Sequence, residues 1–266
     1  MYMSVNQSDR KKYFFFDIDG TLTDEATHKI VPSALRTLHQ LEENGHFVAI
    51  ATGRAHYKAV SFSDSIGIYN LVCAGGGCLV RNGKVVNMEA LPHEQAVKML
   101  EKADADHIGW LIMNEDSDDV LMKDYRFLET AGLRKELTSY HYDPDLDFHQ
   151  LDHIYKFYLA YTEQQEADLP WINDMGRLRM TDNYCVYQYD EKRKGILSMM
   201  DYLKTPYEDV VVFGDEVNDL CMFDPVWTSI AMGNGVSKLK EKATYVTDTN
   251  VNDGIEKACR KFGWIK

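Results

Sequence analysis

One decapeptide, Phe14-Phe15-Phe16-Asp17-Ile18-Asp19-Gly20-Thr21-Leu22-Thr23, narrows the possible folds more than any other stretch of the chain. Its apolar and aromatic first half has the composition of a strand buried on both faces. Two carboxylates separated by one residue follow, and then a Gly-Thr turn. While the backbone stays extended, side chains at i and i+2 point to the same side. At the end of a buried strand both carboxylates would face whatever crevice lies beyond the sheet. A packed core does not tolerate adjacent negative charges unless a cation or hydrogen-bond donors compensate for their desolvation. The alternative is a strand-to-turn corner in which the aspartates only hold the turn.

The next segments decide the sheet type. Pro32 and Ser33 open a helix that runs to about Glu43, with Leu35, Leu38 and Leu41 at helical spacing, and Asn44-Gly45 stops it. His46 to Ala51 is a second apolar strand, ending in Thr52-Gly53-Arg54. Strand, helix and strand in so short a span make a βαβ unit, hence a parallel sheet with a right-handed crossover. Such sheets bind ligands beyond the carboxyl ends of their strands. Asp17, Asp19 and Thr52 all fall there, so they can share a crevice although more than thirty residues separate Asp19 from Thr52.

A helix over Ala55 to Ser65 and a strand over Tyr69 to Cys73 continue the pattern. Ala74-Gly75-Gly76-Gly77 follows, read as a tight turn where backbone passes close to the site; the alternative is a phosphate cradle. It lacks the Lys-Ser/Thr of a P-loop and the spacing of a dinucleotide fingerprint. Cys78 to Val80 and Lys84 to Val86 flank Arg81-Asn82-Gly83, a hairpin signal. From about Glu89 to Tyr184 the texture changes. Helical patterns over Leu91 to Ala103 and Glu163 to Met175 mix with strands at Gly109 to Met113, Val120 to Met122, Tyr155 to Tyr161 and Tyr184 to Tyr189. No second parallel-sheet signature appears, which suggests an α+β module inserted into the first domain. The acidic run Glu115 to Asp119 lacks the Gly and Glu of a calcium loop and reads as a solvated turn. After the insertion a helix from Asp190 to Leu203 leads to the strand Asp209 to Phe213, which ends in Gly214-Asp215-Glu216-Val217-Asn218-Asp219 and opens another helix. Two short β/α units and a last helix over Asn252 to Lys261 complete the sheet.

Composition excludes several function classes. Among 266 residues, 29 Lys+Arg face 42 Asp+Glu, a formal charge of −13. No basic stripe is present to displace counterions from a nucleic acid, so none is expected as a partner. The five cysteines lack CxxC spacing and the nine histidines lack HExxH, which argues against zinc and against a disulfide scaffold. Met1 to Lys12 is polar, the apolar run after it is too short for a signal peptide, and no run approaches the roughly 20 apolar residues of a membrane span. A cytoplasmic protein without membrane contact is expected.

Asp17, Asp19, Thr52, Lys194, Asp215, Asn218 and Asp219 thus gather at strand ends or helix starts of one sheet. Carboxylates with a hydroxyl and an ammonium, and neither His nor Cys, form a hard-oxygen set that suits Mg²⁺. One aspartate could attack an electrophile while its neighbour two residues on transfers protons. The ammonium and hydroxyl would neutralise and orient a phosphoryl group.

Asp17-Ile-Asp-Gly-Thr-Leu22, Ala51-Thr-Gly-Arg54, Lys194-Gly195 and Gly214-Asp-x-x-Asn-Asp219 resemble, in order, the four motifs of the haloacid dehalogenase (HAD) superfamily. The spacing is similar to the Cof-type phosphatases, as are Met232-Gly-Asn-Gly235 and Thr247-Asp-Thr-Asn-Val-Asn-Asp-Gly254 near the end of the chain. The resemblance implies a Rossmann-like, doubly wound parallel α/β core over residues 1–86 and 187–266, with an α/β cap at 87–186 that sets substrate specificity. It implies that Asp17 is the nucleophile, forming a phosphoaspartate, and Asp19 the general acid/base. Mg²⁺ would be held by Asp17, the Asp19 backbone carbonyl and Asp215, supported by Asp219. The implied phosphate or substrate contacts are Gly20, Thr52, Gly53, Lys194 and Asn218. Where that family usually carries Asn-Gly this chain has Gly76-Gly77, so a leaving-group contact from an asparagine side chain is missing. The expected activity is a Mg²⁺-dependent phosphatase acting on a small phosphorylated metabolite, a sugar phosphate or nucleotide-like cofactor. A phosphomutase would need a second phosphate group, for which Arg126, Arg134, Arg177 and Arg179 are candidates; a metabolite sensor would have no need of Asp19. Leaving group and oligomeric state are not written in these motifs.

Overall fold

In the computed structural model, which describes residues 10–266, the chain divides into two compact units. One comprises the described residues up to Asn87 together with Glu191–Lys266; the other is Met88–Asp190. The expectation built on the polar stretch Met1 to Lys12 rests mostly on residues 1–9, which lie outside the described part.

The first unit opens with β1 (Tyr13–Phe16), α1 (Pro32–Glu43), β2 (Phe47–Ala51), α2 (His56–Ile66) and β3 (Leu71–Cys73). A turn at Ala74–Gly76 leads into the hairpin β4 (Cys78–Arg81) and β5 (Lys84–Met88). Phe14, Phe15 and Phe16 are all fully buried, as a strand covered on both faces requires. Each side chain of this size contributes roughly 1.5–3 kcal/mol by leaving water.

The inserted unit contains α3 (His93–Ala105), β6 (Gly109–Met113), β7 (Asp119–Met122), α4 (Arg126–Ala131), β8 (Ser139–Tyr142), β9 (Lys156–Ala160), β10 (Arg177–Thr181) and β11 (Tyr184–Tyr187). Its strands form one sheet in the order β10-β11-β9-β6-β7-β8, antiparallel except for β7 with β8. α3 packs its buried Ala96, Met99, Leu100 and Ala103 with Trp110, Phe157 and Tyr187 in one apolar cluster. The helix expected over Glu163 to Met175 is instead two short 3₁₀ turns, Glu163–Asp168 and Pro170–Asn173. Pro170 lacks an N–H and disfavours the helical conformation at Leu169, which interrupts any longer helix there. α4, β8 and β10 are not expected from the sequence: α4 is only six residues long, β8 has no apolar alternation, and the polar-apolar alternation of β10 is too short to stand out.

The chain then returns through α5 (Lys192–Leu203), β12 (Val210–Gly214), β13 (Thr228–Ala231), α6 (Ser237–Lys242), β14 (Tyr245–Val246) and α7 (Gly254–Lys261). The core sheet runs β14-β13-β12-β1-β2-β3-β4-β5. Its first six strands pair in parallel, and only the β3-β4 step is antiparallel among the pairings with a stated register. β1 sits in the middle, with Phe16 opposite Ile50 of β2 and Phe213 of β12. Chain order runs outward from β1 in both directions, so a crevice opens at the carboxyl ends of β1, β2 and β12. Asp17, Thr52 and Asp215 are the residues just beyond those ends. Among the described residues no helix is long and apolar enough to cross a membrane.

Candidate active site

The parallel register carries β1 one residue further, where the Asp17 N–H donates to the Phe213 carbonyl at 3.1 Å. Asp17 is therefore held in an extended backbone and keeps only 6% of its surface exposed. Its Oδ1 accepts from the Lys192 ammonium at 2.6 Å, and the same ammonium donates to Asp219 Oδ1 at 2.6 Å. Both Lys192 and Asp219 are fully buried. Asp219 Oδ2 accepts from the N–H groups of Asp215 and Glu216 at 3.0 and 3.2 Å, tying down the loop that follows β12. Asp215 is positioned by Thr21, whose hydroxyl donates to its Oδ1 at 2.7 Å. Gly20 makes that approach possible. Its φ is +81°, and a Cβ there would run into the Asp215 carboxylate.

Three buried carboxylates and one ammonium leave an excess of negative charge. Burial raises the Asp17 pKa well above the ordinary carboxylate value, and the neighbouring Asp219 charge adds to it. Burial likewise pushes Asp215 up to about 7, against the opposing hydrogen bond from Thr21. Burial would lower the Lys192 pKa, but the charges of Asp17 and Asp219 outweigh it and hold the amine above its ordinary value. All three shifts report the same shortage of positive charge. One ligand oxygen from each of Asp17, Asp215 and Asp219 lies within 4.8 Å of the others. Hard oxygen donors so close together in a charge-deficient pocket fit a hard divalent cation such as Mg²⁺. Asp219 already has one oxygen on Lys192 and the other on two backbone N–H groups. Asp17 and Asp215 are thus the side chains best placed to hold a cation, with Asp219 behind them.

Lys194 is not in this cluster. It is exposed on α5, while Lys192 two residues earlier enters the site. The helix explains the shift. Lys192, Gly195, Ile196 and Met199 share the buried face at i, i+3, i+4 and i+7, and Lys194 falls off it. That stripe was present in the sequence and could have identified Lys192. The start of α5 is also fixed from outside the helix, for Glu191 N–H donates to the Gly75 carbonyl at 2.8 Å. Gly76 has φ +101°, and a Cβ on it would strike the Glu191 carbonyl. A Cβ on Gly195 would lie 2.5 Å from Val72 Cγ1 and 2.8 Å from Gly76 Cα. The glycine turn therefore serves close backbone approach, and its role in the site is to seat the helix that presents Lys192.

Thr52 is buried just beyond β2, its hydroxyl accepting from the Arg54 N–H at 3.2 Å, with half-buried Gly53 next to it. Asn218 lies on a 3₁₀ turn, Val217–Met222, where the sequence leads one to expect an α-helix. Its Oδ1 is buried and has no hydrogen-bond partner among the described residues. Asp19 stands apart from the buried group. Its side chain is 59% exposed, and Arg54 grips it with Nε to Oδ2 at 3.0 Å and Nη2 to Oδ1 at 2.5 Å.

Two asparagines near the end of the chain brace the loop that carries both aspartates. Asn234 donates to the Gly20 carbonyl at 2.8 Å and accepts from the Asn250 N–H at 3.1 Å. Asn250 donates to the Thr23 carbonyl at 2.7 Å. The contacts to Gly20 and Thr23 span more than two hundred residues of sequence, and no local pattern announces them.

Comparison with known proteins identifies the family. A family model of haloacid dehalogenase-like hydrolases matches residues 14–259. The chain is 32% identical to "Putative phosphatase YkrA" of Bacillus subtilis, over 96% of this chain and 99% of that protein. A solved structure of a hypothetical protein from Geobacillus kaustophilus superposes with a TM-score of 0.81 at 27% identity, covering 96% of this chain and all of the other. BT4131, described as a sugar phosphatase of HAD subclass IIB, superposes with a TM-score of 0.74 at 25% identity, covering 96% and 100% of the two chains. The chain belongs to the haloacid dehalogenase-like hydrolases, in the Cof-type branch, and is a phosphoric monoester hydrolase.

Proposed function

We propose that the protein is a Mg²⁺-dependent phosphatase that passes the phosphoryl group through Asp17, with Asp19 as general acid and base. The observation that carries this reading is the buried set Asp17, Asp215, Asp219 and Lys192, with its excess of negative charge. Mg²⁺ held by Asp17 and Asp215, with the Asp19 backbone carbonyl, would supply positive charge against the phosphoryl oxygens and free the carboxylates to stay ionised. Lys192 keeps one Asp17 oxygen fixed and adds charge beside the phosphoryl group, the role expected of Lys194 from the motif. Ionised Asp17 attacks phosphorus as the bond to the leaving oxygen breaks, and Asp19 gives that oxygen its proton. Asp19 then takes a proton from water, whose oxygen attacks phosphorus and releases Asp17. The Thr52 hydroxyl, the backbone at Gly20 and Gly53, and Asn218 are the proposed contacts for phosphoryl or substrate oxygens.

The inserted unit, residues 87–186 in the sequence reading, is proposed as the part that selects the substrate. A sugar phosphate is the favoured class, following the likeness to BT4131. Hydrolysis is favoured over mutase chemistry by the four candidate arginines. Arg126 pairs with Asp104 and Asp124, Arg134 with Glu136, and both Arg177 and Arg179 with Glu166. Each is committed within its own unit.

With Mg²⁺ the protein is expected to hydrolyse p-nitrophenyl phosphate, EDTA to abolish the reaction, and Asp17→Asn to remove turnover without altering the circular dichroism spectrum. Turnover that survives either treatment would overturn the reading.

A further inference from the structure

Arg54 lies within the motif that supplies Thr52, yet the chemistry above gives it no task. It is held unusually well for a half-exposed arginine. Its N–H donates to the Thr52 hydroxyl at 3.2 Å, and its carbonyl accepts from Ala74 N–H at 2.7 Å. Its guanidinium lies over the Phe62 ring of α2, 5.5 Å from the centroid. From that support it makes the two-point contact with Asp19 described above.

We infer that Arg54 is a positioning residue for Asp19, orienting the carboxyl group that transfers protons to the leaving oxygen and from the attacking water. The inference rests on the proposed acid/base role of Asp19. Three observations support it. Asp19 is 59% exposed and would otherwise sample several rotamers. A planar guanidinium bonding both carboxylate oxygens fixes orientation as well as distance, which a lysine ammonium cannot do. And an ion pair this exposed contributes little to stability, so a fold-holding role does not account for the aromatic and backbone support around Arg54. Each catalytic aspartate then has its own cation, Lys192 holding the attacking carboxylate and Arg54 the proton-transferring one.

The test compares two aryl esters with Mg²⁺ present, p-nitrophenyl phosphate and phenyl phosphate, whose leaving oxygens differ in their need for a proton. Asp19→Asn and Arg54→Ala should both lose more kcat/KM on phenyl phosphate than on p-nitrophenyl phosphate, Arg54→Ala by about a further tenfold, the low end for a misplaced general acid. Arg54→Ala should also release a burst of p-nitrophenolate equal to the enzyme present before slow turnover, because hydrolysis of the acyl phosphate still needs Asp19. Arg54→Lys, which keeps the charge but not the two-point grip, should fall between wild type and Arg54→Ala. If Asp19→Asn shows the leaving-group dependence and Arg54→Ala loses the same factor on both esters, or nothing, Arg54 does not position Asp19. If Asp19→Asn shows no such dependence, the acid/base reading falls and the inference with it.

Discussion

Asp17 and Asp19 are two residues apart, each touches a cation, and their surroundings have almost nothing else in common. Asp17 lies beneath the strand ends with fully buried Lys192 and Asp219, in a cluster whose carboxylates outnumber its ammonium. Asp19 lies in the open, held by an arginine that is itself a third exposed. Burial makes every charge in the first group expensive, so removing one member leaves the others uncompensated. Exposure leaves the second pair worth only about 0–1 kcal/mol to the fold, so the two-point grip of Arg54 bears on orientation rather than on stability. The nucleophile role proposed for Asp17 suits the first environment, which holds the carboxylate still. In the proposed mechanism a group that serves leaving oxygen and water in turn needs access to both, which the second environment provides while Arg54 keeps its orientation.

Because of this contrast, substitutions of equal chemistry should differ sharply with position. Lys192→Met is expected to do the most damage, since it strands two buried carboxylates. A loss of about 3 kcal/mol or more in unfolding free energy should accompany a fall in kcat of at least ~100-fold. Lys194→Met, two residues on and exposed, should leave melting temperature and kcat close to wild type. Equal effects of the two variants on denaturant unfolding and kcat would return the site to Lys194.

Gly76→Ala tests how the buried group is seated. It forces a residue with a Cβ into φ +101° and against the Glu191 carbonyl. A cost of about 2 kcal/mol is expected from the backbone alone. Because the displaced residue precedes Lys192, kcat should drop more than KM rises. A variant with wild-type stability would show that the turn can open without moving α5.

The smallest effect expected is a dependence on pH. Asp215 has a folded pKa of about 7 against an ordinary 3.8, and Asp17 is raised as well. A carboxyl raised on folding binds its proton more tightly in the native state, so its contribution is full below the ordinary value and lost as pH rises through the folded one. In EDTA the melting temperature should therefore fall by a few degrees between pH 5 and pH 8. Excess Mg²⁺ or Asp215→Asn should remove most of that slope, because either supplies what the cluster lacks or takes away one charge. A slope that persists in both would place its origin elsewhere.

The core unit was more legible than the inserted one. Strand β1, helix α1 and strand β2 follow from aromatic runs, a Pro start and an Asn-Gly stop, and the structure places them within a residue of those marks. In the insertion, β8 carries Ser139, Tyr140, His141 and Tyr142 with only Tyr140 partly covered, so no apolar period marks it. Lys192 is the instructive site residue. A motif placed beside Gly195 pointed to Lys194, while the helical stripe of buried residues on α5 pointed to Lys192. Arg54 was visible in its motif but without a task, since an arginine gains one only when its partner is known.

By itself the sequence determined the parallel α/β core, the strand ends where Asp17, Thr52 and Asp215 emerge, and the oxygen-rich character of the chemistry. These follow from short-range rules, composition, period and spacing, that operate within a few residues of chain. Only the tertiary structure decided how the start of α5 is seated against the glycine turn, why that turn has no side chains, and how Asn234 and Asn250 hold a loop two hundred residues away. Those depend on which backbone can approach which, and that is settled by packing between distant segments, where no local pattern reaches.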